Sequence, residues 1–278
     1  MSVTLFSFLV IILGYIAGLV GALTGLGGGV VVIPALVLLF GIDIHYAMGA
    51  SIISVVATSS GGAIAYMRDG YTNLRIGMLL EVMAVIGAVV GAFLVTLLSA
   101  NGIAIIFGLV LIYSAYSVGR KQEIKLENTA PDRLTRFLKL SGTYPTGTGE
   151  VTYTPRRVPV GLGIMGIAGM ISGLLGVGSG TLKVLAMDQA MHLPYRVSTT
   201  TSNFLIGITA AVGAGAYFSH GYIQPGLAFP VMLGVLAGAF SGARILPKLP
   251  VKTLRLFFGV VVFVLALQMI YKGIYGQF

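Results

Sequence analysis

Residues 5–24 run the thickness of a bilayer without one charged side chain. At about 1.5 Å per residue, twenty helical residues cover about 30 Å of hydrocarbon. Nine more apolar stretches follow, and only one long segment between them is polar. Hydrocarbon offers backbone N–H and C=O groups no water, so a helix must pair them within each stretch. Charged residues make up 9% of the chain, against roughly a quarter in a soluble domain. Mean hydropathy is +0.98. Such a chain cannot present a solvated surface all round, and the expected class is an all-α integral membrane protein. The N-terminus lacks a basic segment and an A-x-A site, so residues 5–24 are expected to be a retained helix rather than a cleaved signal.

The stretches form two sets. Shifting the chain by 151 residues aligns 16–121 with 167–272 without a gap, with 26 identities over 106 positions. Gly25-x-Gly27-x-Gly29 falls on Gly176-x-Gly178-x-Gly180, Ser51 on Ser202, and Thr58 on Thr209. Tyr66 falls on Tyr217, and Gly87-x-x-x-Gly91 on Gly238-x-x-x-Gly242. The first set is 5–24, 29–41, 46–66, 75–98 and 102–119; the second is 159–175, 180–191, 197–217, 226–247 and 254–271. The second member of each set is too short to cross a bilayer at helical rise, so it reads as a half-helix or part of a re-entrant hairpin.

Loop charges orient the two sets. Loop 67–75 carries Arg68 and Arg75, whereas its mate 218–226 has no Lys or Arg. Loop 99–101 is uncharged, whereas its mate 244–255 carries Arg244, Lys248, Lys252 and Arg255. The basic side switches between matched loops, which predicts two inverted-topology repeats. Residues 1–121 then form the first repeat, 122–158 a cytoplasmic linker and 159–278 the second repeat. Eight Lys or Arg lie between 120 and 158, which places both termini outside, in a cell (inner or plasma) membrane. Within the linker, Leu134, Phe137 and Leu138 sit at helical spacing among basic residues, as in an interfacial helix drawn to anionic lipid. Thr143–Thr154 has hairpin character. A plain tether is the other reading of both.

The glycine loops are the strongest functional signal. Irregular backbone at membrane depth is tolerated only inside protein or beside a water-filled cavity. A half-helix that starts at such a loop aims unpaired N–H groups and its positive end at the midplane, which suits an anion. Interrupted segments at matching positions of inverted repeats mark transport sites. Gly27, Gly28, Gly29, Gly178, Ser179 and Gly180 are therefore candidate anion contacts; close packing is their structural reading. Ser51, Thr201, Ser202 and Asn203 add neutral oxygen and amide ligands, with capping and interhelical bonding as the alternative.

Charges within the apolar stretches are few. Lys183, one turn into the second half-helix, is the preferred cationic contact. Asp188, a candidate for coupling or gating, lies too far around that helix to pair with Lys183 readily. Glu81 is a candidate for a coupling proton; the blander readings are snorkelling to the surface or pairing with Arg68 or Arg75. His45 and Arg196, matched by the repeat, are candidates for gating or for ordinary interfacial positions. The absence of Cys excludes disulfides and thiolate sites. No metal, cofactor or nucleic-acid partner is called for, and no hydrolase motif is present, so an enzyme is not expected.

Gly25-Leu-Gly-Gly-Gly29 followed by Val-Val-Val-Ile-Pro34, with Ala-x-Gly-x-Ser at 47–51 and a weaker echo at 176–185 and 198–202, resembles the sulfite exporter TauE/SafE family of membrane permeases. The second half departs from that pattern at Ser179, Lys183, Leu185 and Asp188. The resemblance implies secondary transport of a small anion, sulfite or an organosulfonate. Together with the residues, it predicts alternating access between inverted repeats, with possible proton coupling. An anion channel, or a transporter of a non-sulfur organic acid, is the alternative.

Overall fold

The computed structural model describes residues 3–24, 28–68, 72–119, 133–138, 140–146, 149–245 and 251–276. Each apolar stretch is helical. They are α1 (Val3–Thr24), α2 (Gly29–Phe40), α3 (Ile44–Arg68), α4 (Leu74–Leu94) and α5 (Ala100–Gly119), then α7 (Val158–Leu175), α8 (Gly180–Leu185), α9 (Tyr195–Ser219), α10 (Pro225–Ile245) and α11 (Val251–Ile274). α8 continues as a π turn, Ala186–Ala190. Among the described residues, α1, α4, α7, α9 and α10 are long and apolar enough to cross a membrane. The protein is an all-α, multi-pass membrane protein.

Between the two sets lie a short helix α6 (Arg133–Phe137) and an antiparallel hairpin, β1 (Gly142–Thr146) with β2 (Gly149–Tyr153). The hairpin reading of this segment therefore holds over the plain tether. Thr135 Oγ1 donates to the Pro155 carbonyl at 2.9 Å, fixing α6 beside the start of α7.

α1 packs on α10 and α4 on α7, while α3 packs on α9 and α5 on α11; α3 also meets α10, and α4 meets α9. The α4–α7 crossing brings backbones together at two points. A Cβ at Gly87 would run into the Gly166 carbonyl, and one at Gly169 into the Ala84 carbonyl. With no hydrophobic drive between helices in lipid, such close approach supplies dispersion contacts that larger residues would prevent.

The short helices return along their neighbours. Ser179 Oγ donates to the Ala168 carbonyl at 2.5 Å, so α8 begins level with the middle of α7. The Arg156 N–H donates to the Met191 carbonyl at 3.0 Å, so the π turn ends beside the start of α7. Residues 176–179 therefore cover the first part of the return and the half-helix the rest. α2 behaves alike: a Cβ on Gly28 would stand 3.6 Å from the Ala17 carbonyl, and Phe40 meets Phe6 edge-on at 5.6 Å. Pro34 within α2 lacks an N–H, which leaves the Val30 carbonyl without its helical donor. The starts of α4, α7 and α9 share one end of the bundle with the hairpin, hereafter the linker end.

Candidate functional site

Lys183 lies one turn into α8 and is fully buried. Its ammonium donates to Glu81 Oε2 at 3.1 Å, to the Leu205 carbonyl at 3.1 Å and to Thr209 Oγ1. The Thr209 hydroxyl in turn donates to Glu81 Oε1. Glu81 is 3% exposed and Thr209 1%. All three ammonium protons therefore have acceptors, and the buried charge is balanced by one carboxylate. Burying one charge without the other is costly, so the pair stands or falls together.

This corrects the reading that Glu81 snorkels to the surface or meets Arg75; the Arg68 side chain lies outside the described residues. Glu81 lies two turns into α4 from its N-cap Asn73, and its pocket is closed by α8 and α9. The partner is 102 residues away in sequence, beyond any local spacing rule. Asp188 is 5% exposed in the π turn, and the Lys183 ammonium is filled without it.

The start of α2 meets the second glycine loop at the start of α8. A Cβ on Gly29 would come within 3.4 Å of the Val177 Cα, and Ser51 Oγ donates to the Gly176 carbonyl at 3.0 Å. Ser202 Oγ donates to the Gly180 carbonyl at 3.1 Å. Ser51, Ser202 and Ser179 thus direct their single hydroxyl protons to backbone carbonyls of the loops and of α7, leaving only lone pairs unused in this conformation. Gly178 has φ +82 and abuts Ile206 and Val55. Gly28, Gly29 and Gly180 are buried, whereas Gly27 lies outside the described residues. Beside the loops, Val30, Val177, Ser179, Gly180, Phe107 and Leu111 line a cavity of about 10 Å³. That holds about one water.

The other candidates lie apart. Thr201 Oγ1 accepts from the Asn73 N–H at 3.1 Å, near the linker end. Asn203 is half-buried on the same helix. Arg196 is exposed on the first turn of α9. His45 is at the opposite end, its Nδ1 2.9 Å from Asp43 Oδ1 and its ring stacked on Tyr222 at 4.9 Å. His45 and Arg196 therefore occupy opposite ends of the bundle, and neither touches the ion pair.

Three residues escape the sequence reading of the site. Thr209 bridges both charges; its match to Thr58 across the repeat was the available signal. Tyr217 donates to the Leu174 carbonyl at 2.9 Å and braces the second glycine loop. Asn73 donates from Nδ2 to the Tyr153 hydroxyl at 2.7 Å. Burial pushes the Tyr153 phenol up from its ordinary range, with the Asn73 bond opposing, so it binds as a neutral hydroxyl.

The chain is similar to known proteins over nearly its whole length. The profile of the family described as "Sulfite exporter TauE/SafE" matches residues 10–269. The chain is 28% identical to the probable membrane transporter protein YunE of Bacillus subtilis, over 96% of this chain and 98% of that one. It is 30% identical to the probable membrane transporter protein YdhB of the same organism, over 88% and 94%. It is 25% identical to the probable membrane transporter protein MJ0441 of Methanocaldococcus jannaschii, over 94% of each. No solved structure matches. With a multi-pass helical body, paired return half-helices and a family match spanning nearly the whole chain, the protein is a membrane transporter that belongs to the sulfite exporter TauE/SafE family.

Proposed function

We propose that the protein is a secondary transporter of a small anion, sulfite or an organosulfonate, coupled to protons. The observation that carries this reading is the buried contact of Lys183 with Glu81 and Thr209, one turn from a glycine loop. Glu81 neutralises Lys183 in this arrangement. A proton on Glu81 leaves the Lys183 charge uncompensated, and an anion entering from the glycine loops restores the balance. Anion and proton then move together, with loop N–H groups, Thr201, Ser202 and Asn203 lining the way. The packing supports two inverted repeats, residues 1–121 and 159–278. Exchanging each helix for its mate 151 residues on turns the α1–α10 contact into α7–α4, and α3–α10 into α9–α4. Positive-inside charge favours a cytoplasmic linker 122–158 and both termini outside a cell membrane.

Purified protein in liposomes should take up labelled sulfite or a sulfonate faster when a pH gradient is imposed. Lys183→Ala should lose this uptake. Glu81→Gln should retain saturable exchange but lose its dependence on the gradient. A panel of sulfur anions and carboxylates that yields no flux would sink the reading. Gradient-driven uptake by Glu81→Gln would remove the coupling role alone.

A further inference from the structure

The seam between α4 and α9 leads from the linker end to the buried ion pair. At its mouth the Asn73 N–H meets Thr201 Oγ1. One turn deeper, a Cβ on Gly77 would stand 3.1 Å from Thr201 Cγ2 and 3.3 Å from Leu205 Cδ2. The next turn carries Glu81, against Thr209 and Lys183. The eight residues from Asn73 to Glu81 make about 12 Å of helix.

The hairpin covers this mouth. Tyr153, the last residue of β2, accepts the Asn73 amide bond at 2.7 Å. Its ladder partner Gly142 abuts the same amide, with a Cβ there 2.8 Å from Asn73 Nδ2. Leu140 and Tyr153 are buried in one apolar cluster with Ile76, Leu80, Val197 and Leu205. Thr143, Pro145, Glu150 and Thr152, by contrast, are exposed. The hairpin thus lies on the bundle through one face, with Tyr144 also packed against that cluster. Asn73 joins the parts: its Oδ1 caps Ile76 at 3.1 Å, its N–H holds Thr201 and its amide holds the hairpin.

We propose that the β1–β2 hairpin is the lid over the linker-end mouth of the transport path, latched through Asn73 and Tyr153. The proposal rests on the transporter reading above. A tether between two halves needs neither a buried tyrosine nor an amide bond into a helix seam. Attachment through one face lets the hairpin lift off without unfolding a helix. Its departure frees the Asn73 amide and uncovers the Thr201 hydroxyl, opening the seam down to Glu81.

The chain has no cysteine, so Thr201→Cys reports on the seam and Ile103→Cys, buried on α5, on general loosening. Both are reconstituted with the linker face accessible and exposed to a membrane-impermeant maleimide. Adding Tyr153→Phe should speed labelling at position 201 about tenfold, the population shift expected when a latch bond is lost. Replacing 142–153 with a Gly/Ser segment should speed it further, and position 103 should stay unlabelled. Unchanged labelling at 201 in both variants overturns the lid, as does equal labelling at 201 and 103. Sulfite uptake is measured on the cysteine-free variants. Faster labelling in a protein that moves no anion keeps the lid and removes the transporter reading. Uptake with unchanged labelling does the reverse.

Discussion

Lys183 and Glu81 form a buried ion pair, Nζ to Oε2 at 3.1 Å, between a half-helix of one set of helices and a spanning helix of the other. The corresponding positions 151 residues away are Val32 and Met232. The pair is therefore a feature that one half of an otherwise matched frame carries alone. Stability and charge balance can be separated there. Lys183→Met or Glu81→Leu alone should destabilise the protein by about 3–5 kcal/mol, because each leaves a buried charge without its partner. The double variant should recover most of that loss and still fail to transport. Thermal melts followed by size exclusion, set beside liposome flux, check both halves. A double variant no more stable than the singles would deny the coupling.

Thr209 is the test of how finely that balance is set. Thr209→Val keeps the shape and removes the hydroxyl that accepts from Lys183 and donates to Glu81. Losing a partner of a buried group costs about 1–3 kcal/mol. Thr209→Ser should restore both stability and uptake. If Val and Ser variants behave alike, the hydroxyl contributes through neither charge.

The glycine crossings predict a sharp positional contrast. Gly169→Leu puts a side chain against the Ala84 backbone, and Gly87→Leu against Gly166. Either should push α4 and α7 apart and cost at least about 1–3 kcal/mol. Gly163, also on α7, has nothing within 4 Å of its would-be Cβ. Gly163→Ala should be neutral or stabilising by about 0.5–1 kcal/mol, since it reduces backbone freedom without a clash. Melting temperatures of the three variants suffice to check this.

The helices were legible because each is a long apolar run closed by glycine, proline or charge. Gly41 ends α2 at φ +64 and Gly176 ends α7 at φ +66, as a left-handed cap requires. The short return helices were legible from length alone. The site was legible by residue type but not by partnership. Lys183 and Glu81 stand out as charges in apolar runs, yet nothing local joins positions 102 apart, so each reads as a separate candidate. The serines show the converse. Their match across the repeat marked Ser51 and Ser202 as special, but composition cannot tell a hydroxyl that binds a ligand from one that ties down a loop. Asn73 and Tyr153 gave no signal, because a loop asparagine and a linker tyrosine look ordinary until the chain folds.

Ser179 distinguishes these two uses of a hydroxyl. It sits at φ +40, a left-handed conformation that costs a non-glycine residue about 1–2 kcal/mol, and its Oγ donates to the Ala168 carbonyl. Ser179→Gly removes both the strain and the bond, so the two changes should nearly cancel. Ser179→Ala removes the bond, worth about 0.5–1.5 kcal/mol, and keeps the strain, so it should be the less stable variant. The mate of Ser179 across the repeat is Gly28, which has no side chain to offer a ligand. If the hydroxyl only anchors the loop, Ser179→Gly should transport with unchanged KM. A raised KM in Ser179→Gly and Ser179→Ala alike, at matched stability, would instead place the Ser179 oxygen on the substrate.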